Sequence, residues 1–358
     1  MNSLLYIAEL NLPSKSAYAQ HVLKICDAFS KKNKTHLLVF SNKSNFTNIK
    51  SDYILKNTFK IIKLSSSKVN SFLSRIKFAF YAKKISKNYD LIITRSPITS
   101  LILSFFKIKN ILEVHHNFMG LTYILYKIVS IFKLDINTKY IFLHKNLKKI
   151  FKNKKNIILD DCVDFEDFKK IKYKKKFEFV YTGSLYSGKG IEIISYLADQ
   201  FPKKKFHIYA DPNTLSKKYK SVINKQKNII LEGHFKYKYL PSILLSSEFL
   251  LMPYLDKINV NSKKLEVSKY MSPLKMFDYL AAGKIIIASN LKVYSHILKN
   301  KKNCFLISTK NYYQWKKVIS ILLKNKNKYN FIKKNARLTA RNYTWDKRVE
   351  KIIRFYKS

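Results

Sequence analysis

The sequence predicts an α/β protein made of two doubly wound domains, and three observations carry that prediction. Short apolar runs alternate with amphipathic stretches along the 358 residues, the pattern of parallel strands covered by helices. The alternation stops at a polar, lysine-rich stretch, Asp164 to Lys176, and then restarts. The length suits two domains of ordinary size, each able to bury its own core.

The elements follow in chain order. In the first half the runs Leu4–Ala8, His36–Phe40, Ile61–Leu64, Leu91–Thr94, Ile111–Val114, Tyr140–Leu143 and Asn156–Leu159 have strand length and composition. Ala17–Phe29, Phe72–Ile85 and Leu121–Phe132 repeat apolar residues at helical spacing between them. In the second half the strands are Phe177–Thr182, Lys205–Ala210, Asn228–Leu231, Phe249–Met252, Lys284–Ser289 and Cys304–Ile307. Helices are expected at Gly190–Phe201, Leu240–Ser246, Pro273–Ala282, Tyr312–Leu323 and Trp345–Tyr356. The two domains join near residue 170.

Composition narrows the class. At 47% hydrophobic and 15% aromatic residues the chain is globular. Cys26, Cys162 and Cys304 lie far apart, with no metal or redox spacing, and read as reduced cytosolic thiols. Met1 to Ala8 lacks a basic start and a cleavage site, so no signal peptide is expected. The richest apolar stretch, Leu121 to Leu134, is cut by Lys127 and Lys133, short of a bilayer span. The net charge of +48 invites a nucleic-acid reading. Yet all but six of the 70 basic residues are lysine, and they are spread along the chain, whereas readers of phosphate and bases favour arginine. A solvated lysine surface, drawn to anionic lipid headgroups, is the reading adopted.

Two segments look built for an anion. Of six glycines, Gly183, Gly188 and Gly190 fall in one strand–loop–helix stretch, Phe179 to Ile191, where backbone must approach a ligand or take a positive φ. Exposed amides and the following helix start attract phosphate, and Lys189 adds a mobile charge. Gly183 to Lys189 also matches the start of a P-loop, but Gly190 stands where that motif needs a hydroxyl for magnesium. The plainer reading is a tight turn into a helix. In the second segment Ser272 is expected to cap a helix and Pro273 to be its first residue. The amides of Leu274 and Lys275 then point out unsatisfied, with the positive end of the helix dipole behind them. Asp278, one turn on, is placed to accept hydrogen bonds from a sugar diol, or simply to pair with Lys275. Gly283 ends this helix. A helix start for a diphosphate and an acid for a diol together suggest a nucleotide-sugar pocket.

At these residues the chain resembles glycosyltransferase family 4, whose members are retaining group 1 glycosyltransferases of GT-B architecture. Thr182-Gly-Ser-Leu-Tyr-Ser-Gly-Lys-Gly-Ile191 is similar to the family's donor-phosphate loop, with Lys189 on its lysine. Met271 to Gly283 resembles the stretch carrying the second acid of the E-x7-E motif, with Asp278 in the place of the ribose-binding acid. Leu112-Glu-Val-His115-His116 resembles the segment whose histidine, His115, faces the transferred sugar. Cys162-Val-Asp164-Phe165…Phe168 is similar to the N-G-V-D…F segment leading into the linker, and Trp345 to Tyr356 to the closing helix. The chain departs from the pattern at Ser184, where arginine is usual, at Tyr270, where the first acid would fall, and at Ser16 and Ala17, where paired glycines are usual.

The resemblance implies two Rossmann-like domains facing across a cleft. Residues 1–168 form the acceptor side, with the C-terminal helix 343–358 crossing back to it, and 169–342 form the donor domain. It implies a hexosyltransferase using a nucleotide-diphosphate sugar and a glycan or lipid-linked acceptor in surface polysaccharide biosynthesis. His115, Lys189 and Asp278 are its catalytic candidates. Donor binding falls to Gly183, Ser184, Lys189, Ser272, Pro273, Leu274, Lys275 and Asp278. No metal and no cofactor are expected, since the D-x-D pattern is missing and no acid or third ligand stands at a useful spacing from His115 and His116. No nucleic-acid partner is expected; a cytoplasmic site with peripheral contact at the inner membrane face is. A nucleotide-sugar epimerase, an inactive GT-B subunit and a basic nucleic-acid binder are the alternatives.

Among other residues, His116 and His21 read as structural, and Arg95, at a strand end, as a candidate for an acceptor phosphate. Glu232 to Phe235 reads as a loop or a wall of the base pocket. Lys68 to Lys87 reads as a helix packed on its own sheet with lysines outward, or else as a membrane-surface helix.

Overall fold

The structure is a computed structural model that describes residues 2–40, 46–65, 71–151, 155–169, 171, 173–259 and 266–358. The chain divides into two compact units, Met1–Asp161 with Trp345–Ser358, and Cys162–Thr344.

The first unit holds a parallel sheet of β1 (Ser3–Asn11), β2 (Lys34–Phe40), β3 (Lys60–Leu64), β4 (Leu91–Thr94), β5 (Asn110–Val114), β6 (Thr138–Phe142) and β7 (Asn156–Ile158). The strand order is β3-β2-β1-β4-β5-β6-β7. Between strands run α1 (Ala17–Ser30), α2 (Phe46–Asp52), α3 (Phe72–Ser86), α4 (Pro97–Phe105), α5 (Gly120–Ile131) and α6 (Lys145–Ile150). β4 and β5 are buried along their whole length; β4 accordingly reads as a near-continuous apolar run, while β5 carries Glu113 inward. The Ser16 and Ser96 hydroxyls accept from amides in the first turns of α1 and α4 and fix where those helices begin. Phe40 of β2 and Phe78 of α3 meet at 4.3 Å between ring centroids, so α3 lies on its own sheet, with Lys77 and Lys84 exposed. Lys68 and Val69, which belonged to the expected helix, lie outside the described residues.

The second unit repeats the plan with β8 (Phe177–Thr182), β9 (Phe206–Tyr209), β10 (Ile229–Leu231), β11 (Ser247–Met252), β12 (Ile285–Ser289) and β13 (Phe305–Ile307), all parallel, in the order β10-β9-β8-β11-β12-β13. Its helices are α7 (Ile191–Gln200), α8 (Lys217–Asn224), α9 (Leu240–Leu245), α10 (Leu274–Ala282), α11 (Tyr312–Lys324) and α12 (Asn330–Ala340). Phe179 stacks between Phe206 and Phe249, at 4.7 and 5.0 Å, and joins the three central strands into one core. In each sheet the order reverses beside the first strand, between β1 and β4 and between β8 and β11. Doubly wound sheets open a crevice at the strand C-termini at that point.

The last helix, α13 (Trp345–Lys357), belongs to the first unit. Trp345 packs edge-on to His21 of α1 at 5.0 Å, and Arg348, fully buried, donates to the Leu159 carbonyl at 2.8 Å.

Candidate active site

In the second unit the chain leaves β8 at Thr182, beside the switch point, and turns through Gly183 to Gly190 into α7. The Thr182 amide donates to the Tyr279 hydroxyl of α10 at 2.9 Å, and the Gly183 amide to the Tyr209 carbonyl at 2.9 Å, so the start of the loop is fixed. The glycines serve two different ends. A Cβ on Gly188 would stand 1.9 Å from the Lys257 carbonyl oxygen, and one on Gly190 1.8 Å from that of Pro253. These two glycines therefore let the loop press on the 253–259 segment, where Leu255 donates to Gly188 and Asn259 to Ser187. Both also take the positive φ that the sequence reading allowed for, +84° and +86°, and their close approach is to the protein's own backbone. Gly183 differs: a Cβ there would meet only the end of the Lys275 side chain, Nζ at 3.0 Å.

Lys275 is the centre of the arrangement. It starts from the first turn of α10 and its ammonium lies 3.7 Å above the Tyr181 ring and 5.2 Å from the Tyr254 ring. Nζ is sealed from solvent and has no hydrogen-bond partner. Lys189 reaches the same aromatic, 4.8 Å from the Tyr254 centroid. Among the described residues no carboxylate pairs with either lysine. Burial pulls Lys189 down to about 8, and burial together with the Lys189 charge holds Lys275 well below the ordinary lysine value. Two neighbouring cations lowered by burial and left without a counter-ion mark a place prepared for an anion. The amides of Leu274 and Lys275 open α10 with no acceptor inside the helix and add the positive end of its dipole.

Around this pair the helix start sits one residue later than the sequence reading placed it. Pro273 occupies the cap position with φ −75° and ψ 123°, and α10 begins at Leu274. Ser272 is buried and is not the cap residue. Asp278 is 3% exposed on the inward face of α10 and does not pair with Lys275. It faces Tyr237, whose hydroxyl is held well above its usual value by burial and by the carboxylates of Asp278, Asp167 and Asp164. Tyr270 donates to the Glu266 carbonyl at 2.7 Å. Ser184 follows Gly183, and its carbonyl accepts from the Tyr181 hydroxyl at 2.8 Å. The structure thus gathers Gly183, Lys189, Leu274 and Lys275, and sets Asp278 one turn deeper.

In the first unit His115 follows β5 and belongs to a buried network that sequence spacing did not show. Glu113 is its hub. One oxygen lies 3.0 Å from His21 Nε2 and 3.2 Å from His115 Nε2 and accepts from Arg348; the other accepts from Tyr6 at 2.7 Å. Burial pushes this carboxyl up, but His21 and Arg348 outweigh it and hold it well below the carboxylate range. His21 Nδ1 binds Asp161 at 2.6 Å, so His21 is structural, as its position on α1 suggested. Burial, then the Arg95 charge, bring His115 down to about 3, and its imidazole is neutral. Candidate ligand atoms of His21, His115 and Asp161 lie within 4.8 Å of one another, which corrects the expectation that no acid or third ligand stands near His115. Both His21 nitrogens already face carboxylates, and Arg348 shares Glu113, so the donors are committed within the network. His116 Nδ1 faces the Asn117 carbonyl at 2.8 Å. Arg95, at the end of β4, stacks on Tyr18 at 4.0 Å, and its Nη1 is sealed from solvent without a partner.

Residues 163–339 match the family described as glycosyl transferases, group 1. Over this stretch the chain is similar to the group 1 glycosyl transferases. The match fills the second unit almost end to end, Gly183, Lys189, Lys275 and Asp278 included. No protein of curated function matches the chain. Solved glycosyltransferase structures resemble it over its whole length. A glycosyltransferase from Rickettsia africae ESF-5 is 14% identical, with TM-score 0.74 over 99% of this chain and 98% of that one. Anabaena Alr3699/HepE, in complex with UDP and glucose, is 11% identical, with TM-score 0.72 over 98% of each chain. A variant of S. aureus TarM, in complex with fondaparinux, alpha-GlcNAc-glycerol and UDP, is 13% identical, with TM-score 0.73 over the full length of both chains. At such identities the likeness establishes the fold. The chain has the GT-B fold with two Rossmann-like domains, and the group 1 match makes it an enzyme of the glycosyltransferase class.

Proposed function

We propose that the chain is a retaining, metal-independent member of glycosyltransferase family 4. In this reading it moves a sugar from a nucleotide-diphosphate donor to a glycan or lipid-linked acceptor in surface polysaccharide biosynthesis. The observation that carries the proposal is the pair Lys189 and Lys275, half-buried residues that share Tyr254 and have no carboxylate partner. A diphosphate is the anion whose two charges match two ammonium groups and a helix start. As the glycosidic bond of the donor breaks, negative charge builds on the leaving diphosphate, and groups fixed in advance stabilise it best there. The two lysines supply the positive charge that a divalent cation provides in other transferases, so none is assigned. Gly183 and Ser184 line the loop beside the phosphates, with Ser272 and Pro273 leading into the helix start. Asp278 is assigned to the ribose diol and the neutral His115 to the transferred sugar. Arg95 is assigned to a phosphate on the acceptor side.

UDP in the two ligand-bound neighbours favours uridine as the base. The acceptor reading places the protein in the cytoplasm, peripheral to the inner membrane face, where its +48 charge meets anionic lipid. Among the described residues no helix is long and apolar enough to cross a membrane. A thermal-shift screen against UDP, GDP, ADP and CMP sugars tests the proposal. One nucleotide class should raise Tm and be consumed on adding a glycan acceptor; a flat response to all four would overturn it.

A further inference from the structure

Helix α5 carries its apolar residues outward. Leu121, Ile124, Ile128 and Ile131 recur at intervals of three or four, and all are exposed, Leu121 by 63% and Ile131 by 72%. That spacing puts them on one stripe, the side a surface helix ordinarily gives to polar residues. Tyr126 alone in this helix is buried; its ring meets Phe118 and Phe151 edge-on, at 5.3 and 4.9 Å, and fastens the helix to the unit. The stripe continues through Phe132 and Ile136, the latter 81% exposed. Ser104 of α4 holds this continuation, donating to the Leu134 carbonyl at 2.7 Å and accepting from the Asn137 amide at 3.3 Å. Phe105 and Phe106, the residues after Ser104, are exposed as well, and Phe106 meets Phe80 of α3 at 6.2 Å. A patch of this extent marks an interaction surface.

Its charge says which kind. Between Leu91 and Asn137 the chain has two acidic residues, Glu113 and Asp135, and both are buried. In the same stretch Lys107, Lys109, Lys127 and Lys133 are exposed. The surface is therefore apolar within and purely cationic at its rim. We propose that it docks on an anionic bilayer, with α5 lying in the interfacial plane and the lysines reaching the headgroup phosphates. A second copy would bring the same cationic rim against itself, which like-charge repulsion opposes.

Docking has a use in the proposed reaction. α5 begins at Gly120, five residues after His115, on the connection that leaves β5. A lipid-borne acceptor in that bilayer would thus meet the first unit beside the strand end that carries His115. This rests on the membrane-facing acceptor proposed above. Vesicle binding is measured with neither donor nor acceptor, so its failure leaves the nucleotide site standing.

The test is flotation of the full-length protein with vesicles of phosphatidylcholine alone and of phosphatidylcholine mixed equally with phosphatidylglycerol. The protein should float with the mixed vesicles only and be released as salt rises. Ile124→Asp combined with Ile128→Asp should weaken this binding on the order of tenfold or more while keeping the far-ultraviolet helix signal. Ile128→Trp reports separately, because Trp315 and Trp345 are already buried: the emission of the introduced indole should shift to the blue on the mixed vesicles. Failure of the wild type to float with mixed vesicles, an unshifted emission from the Ile128→Trp variant, or equal binding by the folded double variant overturns the proposal. So does a salt-resistant dimer, seen by light scattering, that the double variant abolishes and that forms in place of vesicle binding.

Discussion

The ammonium of Lys275 rests 3.7 Å from the centroid of the Tyr181 ring, sealed from solvent and without a carboxylate. A ring face supports a cation only in part, and a lysine held so far from water loses its proton readily. The two lysines are poised against their own charge, and an anion relieves it.

Replacing that lysine should therefore separate stability from binding. Lys275→Met keeps the stem over Tyr181 and removes the buried charge, so Tm should hold or rise. Binding of a nucleoside diphosphate should weaken by roughly ten- to a hundredfold, since a charge-assisted hydrogen bond contributes about 1.5–3 kcal/mol. Thermal unfolding and titration calorimetry on one preparation read both.

The pH dependence follows from the same pair. Lys189 is lowered to about 8, below its unfolded value, so the folded ligand-free protein binds this proton more weakly than the unfolded chain does. From this group, stability rises as pH climbs above about 8 and is lost as the buried amine protonates below it. Lys275 acts in the same direction. A bound diphosphate reverses the effect by favouring the ammonium form. Binding should take up protons and weaken on the alkaline side of about pH 8, as calorimetry in buffers of different ionisation enthalpy will show.

The two kinds of glycine predict different failures. Gly188→Ala sets a Cβ against the Lys257 carbonyl and should destabilise the protein by several kcal/mol, seen as a fall in urea midpoint. Gly183→Ala meets only a movable lysine end, at a backbone φ of +115° that strains any side chain by about 1–3 kcal/mol. Its larger effect should fall on diphosphate affinity, because Lys275 must shift.

Glu113→Gln removes the anion that Arg348 and His21 share in the first unit. Breaking such a buried pair costs about 3–5 kcal/mol, so Tm should drop sharply, while inorganic pyrophosphate binding by the surviving folded protein stays unchanged.

Much of this was legible in the sequence, for identifiable reasons. Buried parallel strands such as β4 and β12 are unbroken apolar runs, and the Gly183 loop and the Pro273 helix start announce themselves by residue type. Helix α12 was not: its buried face consists of Ile332, Ala336 and Ala340, a stripe too small to stand out among lysines and arginine. α8 was hidden likewise, its apolar residues outnumbered by lysine and other polar side chains. Contacts over long separations left no local trace. Lys189 and Lys275 share Tyr254 only because β8 and β11 are neighbours, and Glu113 finds Arg348 across 235 residues. The Ser272 cap was misplaced because Pro273 has an extended ψ of 123° and takes the cap itself.

The most direct measurement is titration calorimetry of inorganic pyrophosphate and of UDP into the wild type, Lys189→Met, Lys275→Met and Asp278→Asn. Either lysine variant should lose affinity for both ligands by about tenfold or more, and Asp278→Asn for UDP alone. Wild-type affinity for pyrophosphate in both lysine variants would contradict a diphosphate held between Lys189 and Lys275.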